Sequence, residues 1–170
     1  QTSEMRRASC LIRVGKKSDG EKAYENLVEV YPKHLGIKTS HVDAVLFRHE
    51  YEEAARILDS YGLKHETEWV EWQWGRTYLG LDQYDRAISY LNKIVGVIDA
   101  DSHYYIYLAR ALDYAGDFKG SLDTLKTASR KFPKEVGVRT ALGVELQRHG
   151  EEEEAEAILK SKGLDIQVVD

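Results

Sequence analysis

Apolar positions recur along this chain every three or four residues, in blocks separated by short polar or glycine-containing stretches, which predicts a succession of amphipathic helices. Met5, Ala8, Cys10, Leu11 and Ile12 form a first apolar face, Gly15 stops it, and Ala23, Leu27, Val28 and Val30 form a second that ends at Pro32. Ser18 and Asp19 are placed to cap that second helix. Val42, Val45, Leu46 and Phe47 predict a third helix, and Tyr51, Ala54, Ile57, Leu58 and Tyr61 a fourth. Further on, Asp82 and Gly116 mark turns between paired helices, and Asp117 reads as the cap of a helix opening at Phe118. Leu142, Gly143 and Leu146, then Ala155, Ile158 and Leu159, complete the series. Glu151 to Glu154 follow Gly150, where negative charge offsets a helix dipole by about a few tenths of a kcal/mol per residue. That account is preferred here to an acidic docking motif.

The blocks repeat. Laying 68–101 over 102–135 places Arg76 over Arg110, Tyr84 over Phe118, Ala87 over Ser121 and Leu91 over Leu125, 34 positions on. Ala54, Ala87, Ser121 and Ala155 put a small residue at the twentieth place of the period, with spacings of 33, 34 and 34, and Gly20 holds that place in the less regular first block. Small residues at fixed places let two helices approach to about 8–10 Å between axes.

This period, with Trp74-Gly75 and Tyr78 on one helix and Tyr84, Ala87, Leu91 and Ile94 on the next, resembles the tetratricopeptide repeat. The resemblance spans nearly the whole chain. It implies an all-α fold, a right-handed α-solenoid of about five antiparallel helix pairs in a single domain. The units are expected at 1–34, 35–67, 68–101, 102–135 and 136–163, with a short tail at 164–170. The chain departs from the family pattern at the fourth place, where Tyr105 is aromatic but Lys38, Glu71 and Arg139 are not, and only Pro32 and Pro133 supply the closing proline. The one-residue deletion near Ser60-Tyr61-Gly62-Leu63 is expected to change how the next pair stacks. Lys162 stands where other units carry Leu27, Tyr61, Ile94 and Ala128, as suits an end with nothing stacked beyond it. The apolar Ile166, Val168 and Val169 of the tail either fold back on that end or lead into further chain.

Composition narrows the function. The net charge of -5 is mild and no repeat carries a concentrated basic stripe, which argues against nucleic acid. No run of 18 apolar residues predicts a membrane span, and the first ten residues lack a signal-peptide core. The chain opens on glutamine, which suggests that an upstream segment is removed. The single Cys10 rules out an internal disulfide and fits a reducing, cytoplasmic setting, with the periplasm or another compartment left open.

Chemistry has no foothold in the motifs. Gly15-Lys16-Lys17-Ser18 fails as a phosphate loop because Cys10 stands where a glycine is needed and Lys17 where a hydroxyl is needed. The histidines at 34, 41, 49, 65, 103 and 149 include no pair four apart of the kind that builds a helical zinc site with a glutamate. The expectation is therefore no catalytic residue, no metal and no cofactor, in a non-enzymatic protein.

The family resemblance implies instead a concave groove lined by the first helix of each unit. Carried over residue by residue, it assigns Trp69, Trp72, Gln73 and Arg76, then His103, Tyr107, Arg110 and Tyr114, then Thr140, Ala141 and Val144. Earlier units add Thr39, Ser40 and Asp43, and Arg6 and Ser9. One independent observation agrees. Trp69 and Trp72, like Gln73 and Arg76, are three apart and share a helical stripe, whereas Val70, Trp74, Gly75 and Tyr78 meet the core's needs on another face. Tryptophan, tyrosine and arginine outside a core are the composition of binding hot spots.

Arg76 and Arg110 occupy equivalent places, expected on the order of 10 Å apart, a span that suits acidic groups about three or four residues apart in an extended peptide. The opposing account pairs each arginine with an acid of its own scaffold and packs each tryptophan between helices. A carboxylate clamp for chaperone C-termini is absent, since its places hold Met5, Ser9, Ser40, Trp69 and Gln73, or in the next register Trp72, Arg76, Tyr107, Gly137 and Ala141. The leading expectation is a scaffold or adaptor for a partner protein or peptide carrying acidic and apolar side chains. The alternatives are a substrate-selecting or regulatory segment of a larger enzyme, and a self-associating module that forms a homo-oligomer.

Overall fold

Helices begin where short polar side chains can take up free backbone N–H groups. In a computed structural model describing residues 2–63, 67–97 and 100–160, Thr67 Oγ1 accepts from the Val70 N–H at 3.4 Å. Asp101 Oδ1 accepts from His103 N–H at 2.8 Å, and Asp117 Oδ1 from Gly120 N–H at 2.9 Å, the cap expected before Phe118. The turns at Gly15, Gly62, Gly116 and Gly150 have positive φ, and so does Asp82 at 58°. His65, Lys162 and the tail 164–170 lie outside the described residues.

The described residues form ten α-helices: α1 (Thr2–Arg13), α2 (Lys17–Val30), α3 (Leu35–Leu46), α4 (Tyr51–Ser60), α5 (Glu68–Gly80), α6 (Tyr84–Val95), α7 (Ser102–Tyr114), α8 (Phe118–Lys131), α9 (Val136–Arg148) and α10 (Glu152–Lys160). They follow as five sequential pairs, and the described residues contain no strand, so the all-α expectation holds. No helix among the described residues is long and apolar enough to cross a membrane. The cap expected from Ser18 and Asp19 is not used: α2 already starts at Lys17, Lys16 makes no side-chain cap, and Asp19 falls in the first turn. The positive φ of Gly15 turns the chain early enough to bring the start forward.

Contacts divide the chain into two compact units, 1–90 and 91–170. In the first, α3 packs against α1, α2, α4 and α5, around a core that includes Ile12, Tyr24, Ile37, Val42, Val45, Leu58, Val70 and Trp74. Three residues expected on apolar faces are turned outward. Cys10 and Val30 are exposed, and Phe47, at the C-terminal cap of α3, is exposed with the Arg13 guanidinium 4.6 Å above its ring. On α1 the buried stripe runs through Ala8 and Ile12, and a residue two places from Ala8 faces away from it. In the second unit Ala109, Leu125, Leu142, Leu146 and Ala155 form the core, with Ile106, Leu122, Ala141 and Ile158 packed around it.

Every residue at the twentieth place is buried: Gly20, Ala54, Ala87, Ser121 and Ala155. At Gly20 the helices are closer than alanine permits, because a Cβ there would stand 2.5 Å from Ile12 Cγ1 and 3.0 Å from the Ala8 carbonyl oxygen and the Ile12 nitrogen. A side-chain atom can swing away; two backbone atoms cannot. Alanine normally gains about 1 kcal/mol over glycine inside a helix, whereas overpacking costs about 1–3 kcal/mol. Gly20→Ala is therefore expected to destabilise by on the order of 1 kcal/mol, read as a lower urea midpoint. An unchanged or higher midpoint would show that α1 and α2 separate freely.

Candidate functional site

The wall expected on α5 divides into an outward and an inward part. Trp69 is 57% exposed, while Trp72 is half-buried with the Arg76 guanidinium 5.3 Å from its ring centre. Arg76 Nη1 donates to Asp43 Oδ1 at 2.5 Å and to Gln73 Oε1 at 3.4 Å. For Arg76 and Asp43, both expected in the groove, the scaffold pairing is thus realised. Gln73 is fully buried and its Nε2 has no hydrogen-bond partner, so it presents nothing to solvent. Thr39 is buried with its hydroxyl donating to the Leu35 and Gly36 carbonyls, and Ser40 meets the Tyr24 hydroxyl at 2.8 Å. Arg6 and Ser9 line a cleft of about 450 Å³ with Met5, Arg13 and Ser40.

Behind this wall lies a polar cluster that the sequence did not reveal. The His41 ring stacks on Tyr24 at 4.4 Å, and its Nδ1 is 2.7 Å from the Tyr61 hydroxyl. Burial, and to a lesser degree the Lys17 charge, pulls the His41 pKa down to about 4. Burial first, then the neighbouring Tyr24 and Glu25, pushes the Tyr61 phenol up to about 12. Both groups are held neutral.

In the second unit, α7 and α9 bring most of the remaining expected residues to one place. Arg110, Tyr114, Thr140, Ala141 and Val144 line a cleft of about 630 Å³, together with Ile106, Asp113, Glu145 and Arg148. Tyr114 is 51% exposed and Val144 is exposed. Arg110 is exposed, its guanidinium 5.2 Å from the centre of the half-buried Tyr107 ring, and it has no acidic partner among the described residues. Here the outcome differs from Arg76, although the two residues hold the same place in the repeat. His103 is exposed at the start of α7, with Nδ1 2.7 Å from Asp101 Oδ1, and is not part of the cleft lining.

Two further features escaped the sequence reading. A cleft of about 620 Å³ opens along α1 and α2, lined by Leu11, Ala23, Leu27, Val30 and Tyr31 among charged Glu4, Arg7, Lys16, Asp19 and Lys22. Asp113 of α7 meets Glu145 of α9 and His149, one ligand atom from each lying within 4.8 Å of the others. The signal available was the four-residue spacing of Glu145 and His149. A search for histidine pairs passes over it, and Asp113 is on another helix.

Known proteins share the fold without close sequence likeness. No family model matches the sequence, and no curated protein matches it. Among solved structures, MamA from Desulfovibrio magneticus RS-1 is 17% identical with a TM-score of 0.74, covering 93% of this chain and 90% of that one. MamA AMB-1 is 20% identical with a TM-score of 0.65, over 94% and 95% of the two chains. A chain from Podosopora anserina with nearly identical TPR-like repeats is 16% identical with a TM-score of 0.72, over 93% and 90%. The sequential helix pairs, the small residues buried at the twentieth place and these matches agree: the chain has the tetratricopeptide-repeat fold.

Proposed function

We propose that the protein is a non-enzymatic interaction module that holds a segment of a partner protein against the first helices of its repeats. The cleft between α7 and α9 carries this reading. Its lining includes the Arg110 guanidinium, beside the exposed apolar surface of Tyr114 and Val144, while the cleft's other guanidinium, Arg148, is paired with Asp113. A partner suited to it carries an acidic side chain next to an apolar one. The acid would replace solvent around Arg110 with a charge-assisted pair, and the apolar group would fill the space between the helices. In the first unit, Trp69 offers a second apolar anchor of the kind that dominates binding energies. Arg76 contributes less, because Asp43 already occupies its charge.

Synthetic peptides that cross acidic, basic and uncharged side chains with apolar and polar neighbours test this directly. Peptides combining acid and apolar groups are expected to bind best, and Arg110→Glu to weaken them at least tenfold, about 1.4 kcal/mol. Arg76→Ala should change affinity less than twofold. Indifference to peptide charge, or an Arg110→Glu protein that binds as well as wild type, would refute the reading.

A further inference from the structure

Glu145 is 6% exposed, yet its Oε1 accepts no hydrogen bond, and neither does His149 Nε2 take part in one, 3.6 Å away. Leaving buried polar atoms unmatched is costly, and such atoms in a native fold call for a partner. The two side chains stand four residues apart and so emerge on one side of the chain. α7 brings Asp113 to the same point, giving one ligand atom from each of three residues within 4.8 Å.

The spacing suits a metal ion. Two ligands each about 2.1 Å from zinc at the tetrahedral angle stand about 3.4 Å apart, close to the observed Glu145–His149 separation. Asp113 supplies a third ligand atom within 4.8 Å of both. Arg148 is the competing cation, with Nη1 2.6 Å from Asp113 Oδ2 and 3.8 Å from Glu145 Oε2. It balances one of the two carboxylates and leaves Glu145 Oε1 uncovered. The Phe118 ring, 4.7 Å from the imidazole, steadies the histidine. Asp113 and Glu145 also line the α7–α9 cleft, which provides an entry path.

We propose that Asp113, Glu145 and His149 form a binding site for a divalent transition-metal ion of the zinc type. The imidazole favours such an ion over magnesium or calcium, which take oxygen ligands. Three protein ligands leave a fourth position for water or for a carboxylate brought into the cleft.

Calorimetric titration of the chelator-treated chain with zinc chloride, with magnesium chloride as comparison, is the test. One equivalent of zinc is expected to bind, with magnesium binding far more weakly, and zinc should raise the thermal unfolding midpoint. His149→Gln and the isosteric Asp113→Asn should each lower zinc affinity at least tenfold, while His103→Gln leaves it unchanged. Circular dichroism identifies any variant that has lost its helices. No saturable zinc binding by wild type, or undiminished binding by folded His149→Gln, would overturn the assignment. Neither result bears on peptide binding through Arg110.

Discussion

Replacing Trp74 by alanine is expected to cost about 3–5 kcal/mol of stability, the range for truncating a large buried aromatic. Trp74 is 4% exposed on α5 and its ring stacks on Tyr78 at 5.1 Å, with Tyr90 at 6.0 Å. Its indole Nε1–H donates to the Leu63 carbonyl at 2.6 Å, tying α5 to the chain that leaves α4. Alanine removes the apolar contacts, opens a cavity among stiff aromatic neighbours and strips a buried carbonyl of its donor. Trp74→Phe narrows these effects, since it keeps an aromatic ring in the core while losing the hydrogen bond and part of the volume, and is expected to cost about 1–3 kcal/mol, less than alanine. Urea denaturation of both variants measures the difference. A Trp74→Ala protein within 1 kcal/mol of wild type would mean that this side chain does not organise the core.

Acidification should destabilise the protein through His41. Its pKa is about 4 in the folded state against an ordinary 6.5, so between those values the unfolded chain binds more protons than the folded one. A group with a depressed folded pKa contributes stability that is complete above 6.5 and is lost as pH falls towards 4. Linkage puts the loss between pH 7 and pH 4.5 at about 2–3 kcal/mol. Glu50, held low mainly by its hydrogen bond to Lys17, and Asp101, held low mainly by the His103 N–H, add losses in the same direction at the acid end. His41→Phe isolates the histidine: the ring can still stack on Tyr24, but that position no longer carries a titratable group. Its stability should be nearly flat between pH 7 and pH 5, where wild type declines. Parallel pH profiles for the two proteins would rule out His41 as the cause.

Some of the architecture was legible because it is local and periodic. Helix placement follows the recurrence of apolar residues, and Asp117, Asp82, Gly116 and Gly150 act at the turns where their backbone chemistry fits. The small residues at the twentieth place signalled close helix approach, and Gly20 shows how close. Trp74 was legible as core for the same reason. Phe47 was not, because at the cap that follows a helix the periodic pattern no longer determines which way a side chain leaves.

The candidate site was legible in location and not in state. Sequence placed Arg76 and Arg110 at one register position, but whether an arginine is already paired depends on what the neighbouring helix presents. For Arg76 the neighbouring α3 presents Asp43 at 2.5 Å; Arg110 instead lies over the face of Tyr107 on its own helix. The Asp113–Glu145–His149 cluster was invisible for a related reason, since its third member comes from another helix.

The sequence by itself determined that this protein is a series of helix pairs with small residues at the contacts, because those properties depend on neighbours three or four places along the chain. Only the tertiary structure decided that Gln73 is buried, that Arg110 meets no acid among the described residues, and that an aspartate, a glutamate and a histidine converge. Each of these depends on side chains many residues apart meeting across helices, where a change of one torsion alters the partner.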